Sequence, residues 1–123
     1  MAKVLISPGK YVQGAGEMKK LGEYAQNYGK KALILISKGG YKRIGAMVEK
    51  SFEGKECGYV FDYFNGECSK KEIKRLGEIV KKEACDVVIG IGGGKIFDTA
   101  KAVAYYEKTP VLICPTIAST DAP

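Results

Sequence analysis

Two segments of this chain carry no polar side chain at all: Ala32 to Ile36, and Val87-Val88-Ile89-Gly90-Ile91. Each is too short for a buried helix, so each reads as a strand. A strand without a polar face cannot lie against water on either side. It belongs in the middle of a sheet covered on both faces, as parallel sheets are. Between the two runs the period changes. Ile44, Met47, Val48 and Phe52 recur at helical spacing, and so do Ile73, Leu76, Ile79 and Val80.

The remaining segments fit the same alternation. Val4 to Ile6 reads as a short strand stopped by Ser7-Pro8-Gly9. Met18, Leu21, Ala25 and Tyr28 mark a helix with Gly29 as its C-cap. The next helix is expected after Gly39-Gly40 and to end at Gly54. Tyr59 to Phe64 reads as a strand that is less buried, because Asp62 interrupts it. Ser69-x-x-Glu72 has the form of a capping box. A last helix over roughly Lys95 to Tyr106 and a strand from Val111 to Cys114, stopped by Pro115, complete the pattern. A chain of 123 residues has room for one domain. The expected class is α/β: a parallel sheet with helices on both faces.

Composition removes several chemistries. The chain has no histidine, so it holds no histidine base, no Ser-His-Asp triad and no His-ligated zinc. Cys57, Cys68, Cys85 and Cys114 are scattered without C-x-x-C spacing, which argues against a zinc cluster. With no signal peptide in view, free thiols point to a reducing cytoplasm. No apolar run is long enough to span a membrane. The net charge is +6, but the basic residues interleave with acids along helix faces, as in Lys70, Lys71, Glu72, Lys74, Arg75 and Glu78. Without aromatic platforms or a reader motif, nucleic acid is not the expected partner.

Parallel sheets bind ligands beyond the carboxyl ends of their strands. Three such segments should converge here: Ser37 to Gly40, Gly92 to Asp98, and Thr116 to Asp121. Gly92-Gly93-Gly94-Lys95 joins a core strand to a helix. Glycines there let a diphosphate approach backbone N–H groups at a helix start. They also suit a tight turn against a neighbouring backbone. The run lacks both G-x-G-x-x-G and the hydroxyl that follows the lysine of a Walker A loop. Asp98 early in that helix suits the helix dipole, or a hydrogen bond from a ribose or amide group. The segment Pro115-Thr116-Ile117-Ala118-Ser119-Thr120-Asp121 sets hydroxyls and a carboxylate after a buried strand. That is ligand-binding material, or a frayed tail. A doubly wound sheet ordinarily continues past such a strand, so the chain reads as cut there.

Gly92-Gly93-Gly94-Lys95 with Asp98-Thr99-Ala100-Lys101-Ala102, followed by Pro115 through Pro123, resembles the glycerol dehydrogenases of the iron-containing, metal-dependent alcohol dehydrogenase family. Ser7-Pro8-Gly9-Lys10-Tyr11 and Gly66-Glu67-Cys68-Ser69 are similar as well. The resemblance implies that residues 1–123 are an N-terminal, Rossmann-like NAD-binding domain, truncated before a C-terminal helical domain that supplies the metal ligands. It implies that Gly92, Gly93 and Gly94 cradle the NAD pyrophosphate with Lys95 beside them. Asp98 would lie near the nicotinamide, Thr116 and Ser119 would line the cofactor cleft, and Asp121 would touch a polyol hydroxyl. No metal ligand falls within the chain. A divalent metal, zinc in typical members, would belong to the complete protein only.

The implied reaction is oxidation of glycerol or a similar diol to the ketone, and this chain alone is expected to be inactive. One position departs from the pattern. Where glycerol dehydrogenases usually place an aspartate for the adenosine ribose, this chain has Ser37, followed by Lys38. The expectation is weakened selectivity for NAD, with Lys38, Lys42 or Arg43 able to attract a 2′-phosphate. The alternatives are a non-catalytic nucleotide-binding module, or an assembly domain whose exposed apolar surface would favour homo-oligomers.

Overall fold

The structure, a computed structural model, describes residues 9–11 and 18–115. The expected strand Val4 to Ile6 lies outside them. Among the described residues five strands form one sheet: β1 (Gly9–Tyr11), β2 (Lys31–Ile36), β3 (Gly58–Tyr63), β4 (Val87–Gly92) and β5 (Val111–Pro115). Among the described residues four helices accompany them: α1 (Leu21–Ala25), α2 (Lys38–Ser51), α3 (Lys70–Glu83) and α4 (Gly94–Glu107). The strand order is β1-β5-β4-β2-β3, and every pairing is parallel.

The two all-apolar runs are central neighbours, β2 and β4, with Ile36 opposite Ile91. Successive side chains of a strand point to opposite faces, so the two runs divide between two cores. Ala32, Ile34, Ile36, Val87, Ile89 and Ile91 pack with Leu21 of α1, with Val48 of α2 and with Phe52, which caps its end. Leu33, Leu35 and Val88 pack with Leu76 and Val80 of α3 and with Ala100 and Val103 of α4. The helices thus cover both faces, as the sequence pattern requires. β3 is the half-buried strand because it forms an edge.

Several boundaries differ from expectation for local reasons. Gly9 begins β1, which pairs with β5. α2 starts at Lys38, ahead of the two glycines, because the Ser37 side chain caps it. Gly29 is not a C-cap, since α1 ends on Gln26. Its missing β-carbon instead makes room for the Asp86 carboxyl group, whose Cγ would stand 2.7 Å from it. Pro115 closes β5 from inside the strand, in register with Gly92. Among the described residues, no helix is long and apolar enough to cross a membrane.

Candidate functional site

β2 and β4 lie side by side, yet their following helices leave to opposite faces. α2 leads on to β3 at one edge, and α4 leads to β5 on the other side. This reversal opens a crevice beyond the carboxyl ends of the two strands, where doubly wound sheets take their ligands. The structure brings Ser37 and the Gly92–Lys95 run together at this crevice. The pairing of Gly92 with Pro115 aims the exit of β5 at the same edge. Thr116, Ser119 and Asp121 lie outside the described residues.

The glycines of the loop divide into two kinds. Gly90, within β4, lets α4 approach the sheet: a β-carbon there would sit 2.9 Å from the Ala100 Cβ. Gly92 has φ +151° and would press 2.6 Å against the Ile96 Cδ1. Packing and backbone explain both. Gly93 is different, with extended φ −117° and ψ −163°, a conformation open to any residue. Among the described residues, a β-carbon on Gly93 or Gly94 would meet nothing within 4 Å. Neither the turn nor the core requires glycine at those two positions. What their bareness provides is an approach for a ligand to the backbone.

That backbone carries unused donors. The Phe97 N–H donates to the Gly93 carbonyl at 3.0 Å, closing the first turn of α4. The N–H groups ahead of Phe97 have no acceptor within the helix. Among the described residues no side chain caps this end, and the first turn holds no acid. The end of α4 is thus open to an anion. Lys95 is exposed beside it and meets the Glu67 carboxylate at 3.5 Å. Asp98 is exposed at the fifth position of α4. The Ser37 Oγ accepts the Gly40 N–H at 2.9 Å.

The loop that carries Glu67 is pinned by groups that sequence reasoning did not single out. The Ser69 Oγ accepts the Glu72 N–H at 3.1 Å, which is half of the expected capping box. The buried Glu72 carboxylate turns elsewhere, accepting from the Asn65 N–H at 3.3 Å and from Arg75 at 2.7 and 2.8 Å. Arg75 also donates to Asp62 at 2.9 Å and to the Tyr63 carbonyl at 3.2 Å. Its hydrogen bonds hold the Glu72 carboxyl below the ordinary carboxylate range, against the opposing effect of burial. The signal available in the sequence was the i, i+3 spacing of Glu72 and Arg75. Among the described residues, no group of three or more Cys, Asp or Glu side chains can hold a metal ion.

Comparison with known proteins agrees with this geometry. The family described as iron-containing alcohol dehydrogenase matches residues 8–123. The chain is 45% identical over 123 residues to the glycerol dehydrogenase of Citrobacter freundii, covering all of this chain and 34% of that protein. It is 48% identical over 130 aligned positions to the glycerol dehydrogenase of Thermotoga maritima, covering all of this chain and 33% of that protein. Among solved structures, a probable glycerol dehydrogenase from Sinorhizobium meliloti 1021 superposes with a TM-score of 0.74 at 41% identity, over 94% of this chain and 31% of that one. The chain spans about a third of the length of the curated relatives it matches. A family match over nearly every residue, on a fold with its crevice in the expected place, means that this chain belongs to the iron-containing alcohol dehydrogenase family.

Proposed function

We propose that residues 1–123 are the N-terminal dinucleotide-binding part of an NAD-dependent glycerol (polyol) dehydrogenase that oxidises glycerol to dihydroxyacetone. The observation that carries this reading is the pair Gly93 and Gly94. They are bare toward open space, at the start of an uncapped helix, where the sheet reverses its winding. A pyrophosphate fits there, against backbone N–H groups and beside Lys95. Bound NAD would supply the hydride acceptor of the reaction. This chain would hold the pyrophosphate on the Gly92–Gly94 loop and set Asp98 near the nicotinamide. Thr116 and Ser119 would line the cleft, and Asp121 would meet a polyol hydroxyl.

Among the described residues, no cluster of acids or thiols is placed to hold a metal ion. The divalent metal of the complete enzyme, zinc in this reading, would be bound by residues outside this chain. By itself the chain would bind nucleotide without turnover. Its four free cysteines suit a reducing cytoplasm. The test is made on the full-length protein that carries this sequence. NADH formation from glycerol and NAD is expected there, together with saturable binding of ADP-ribose that Gly94→Ala weakens. Absence of ADP-ribose binding to the folded protein would overturn the reading.

A further inference from the structure

The chain holds two asparagines, Asn27 and Asn65, and only the second precedes a glycine. An asparagine loses its amide when the backbone nitrogen of the next residue attacks its side-chain Cγ. That attack is opposed by a side chain on the next residue, by a hydrogen bond that occupies its N–H, or by a carboxamide that points elsewhere. Asn27 is protected twice. Tyr28 follows it, and the Tyr28 N–H donates to the Ala25 carbonyl at 2.9 Å.

Asn65 has none of these protections. Gly66 has no side chain, and among the described residues its N–H finds no acceptor. The Asn65 carboxamide is folded forward, because its Oδ1 accepts the Glu67 N–H at 3.0 Å. Such a turn lays the side chain over the peptide that follows it. The Glu67 N–H also stands where negative charge develops on Oδ1 during attack, as the donors of an oxyanion hole do. The start of the turn is held in place: the Asn65 N–H donates to the buried Glu72 carboxylate at 3.3 Å, and Arg75 fixes that carboxylate. Gly66 lies at φ +106°, which glycine adopts without penalty. Both residues are exposed, so water has access to the bond.

We propose that Asn65–Gly66 is a self-modifying site. The Gly66 nitrogen bonds to the Asn65 Cγ, and its proton passes through solvent to Nδ2. The Cγ–Nδ2 bond breaks and the nitrogen leaves as ammonia. The resulting succinimide takes up one water and opens to aspartate or isoaspartate at position 65. Either product sets a new carboxylate two residues from Glu67. Isoaspartate also adds a carbon to the main chain of the loop that brings Glu67 to Lys95. An isoaspartyl carboxyl group is the kind that protein-isoaspartate methyltransferases esterify, so a repair enzyme of that class is the implied partner. This chemistry is independent of what the crevice binds.

The experiment incubates the full-length protein in mildly alkaline buffer, folded and in parallel unfolded in guanidinium chloride. Peptide mapping by mass spectrometry and labelling with an isoaspartyl methyltransferase follow both asparagines. In the folded protein, position 65 is expected to lose its amide at least as fast as in the unfolded chain, with ammonia released and Asn27 intact. Gly66→Ala should suppress the reaction, and the unfolded arm reads this whether or not the variant folds. Slower loss at position 65 in the folded protein than in the unfolded chain, equal loss at Asn27 in the folded protein, or an unchanged rate in Gly66→Ala would overturn the site.

Discussion

The Asp86 carboxylate occupies the space that a side chain on Gly29 would need, and it accepts backbone N–H groups at the start of the neighbouring strand. Lys30 donates to it at 2.8 and 3.0 Å, and Lys31 at 2.9 Å. The Asp86 N–H in turn donates to the Lys31 carbonyl at 2.9 Å. One acid thereby ties the entries of β2 and β4 together. Asp86→Ala should cost about 1 kcal/mol, because the freed donors are solvent-accessible and regain water. Gly29→Ala should destabilise by breaking the same clasp. Urea unfolding of both variants checks this, and an unchanged midpoint in both would refute it.

The two kinds of glycine in the strand-to-helix turn should separate stability from binding. Gly90→Val pushes into Ala100 and Ile96, and should cost about 1–3 kcal/mol by overpacking. Gly94→Ala meets no neighbour and should keep or gain stability, by up to about 1 kcal/mol. It should nevertheless weaken ADP-ribose by about tenfold, as its methyl group intrudes on the ligand side. Thermal unfolding and calorimetry on the same two variants read both effects.

Glu72 predicts a pH dependence with a definite sign. Its folded-state carboxyl titrates below the ordinary value of 4.5, chiefly through the hydrogen bonds from Arg75. The stability it contributes is therefore complete above that ordinary value and is lost as pH falls through the lowered one. Glu72→Gln should cost about 1–2 kcal/mol at neutral pH and flatten the acid limb of the stability curve. Urea midpoints compared between about pH 3 and pH 7 would expose the difference, and parallel curves would contradict it.

Thiol chemistry should single out one cysteine of four. Cys68 is exposed, while Cys57, Cys85 and Cys114 are buried. Burial pushes the Cys57 and Cys85 thiols up to about 11, and raises Cys114 further. Thiolate is the reactive form, so the buried three should resist alkylation in the folded protein. Mass spectrometry after a brief iodoacetamide pulse should find Cys68 carrying the label. Equal labelling of Cys114 would contradict the packing described here.

α4 ends on Lys108 in a left-handed conformation, φ 60°, where glycine would carry no steric penalty. Lys108→Gly should stabilise by about 0.5–1 kcal/mol. A lowered melting temperature would show that the side chain supplies more than the strain removes.

Much of the fold was legible because Ala32 to Ile36 of β2 and all of β4 carry no polar side chain, and that alone demands a two-sided cover. Helix ends were harder. α3 and α4 stop on Ala84 and Lys108, both left-handed without glycine, so no local signal marks the position. The start of α2 was obscured by glycines that ordinarily disfavour a helix, and the Ser37 cap overrides them. At the site, the glycine run and Ser37 could be found by position alone. The chain of contacts from Arg75 through Glu72 and Asn65 could not, because Asp62, Tyr63 and Asn65 meet Arg75 and Glu72 only after β3 and α3 have packed.

β1 supplies a last consequence. Its described partner in the sheet is β5, with Gly9 opposite Val111 at the other end of the described chain. On the ribosome the amino end emerges first. Among the described strands, the Gly9–Tyr11 backbone gains its partner only after Val111 to Ile113 have been made, when β2, β3 and β4 already have theirs. Of these described strands, the first to be synthesised is the last that can dock.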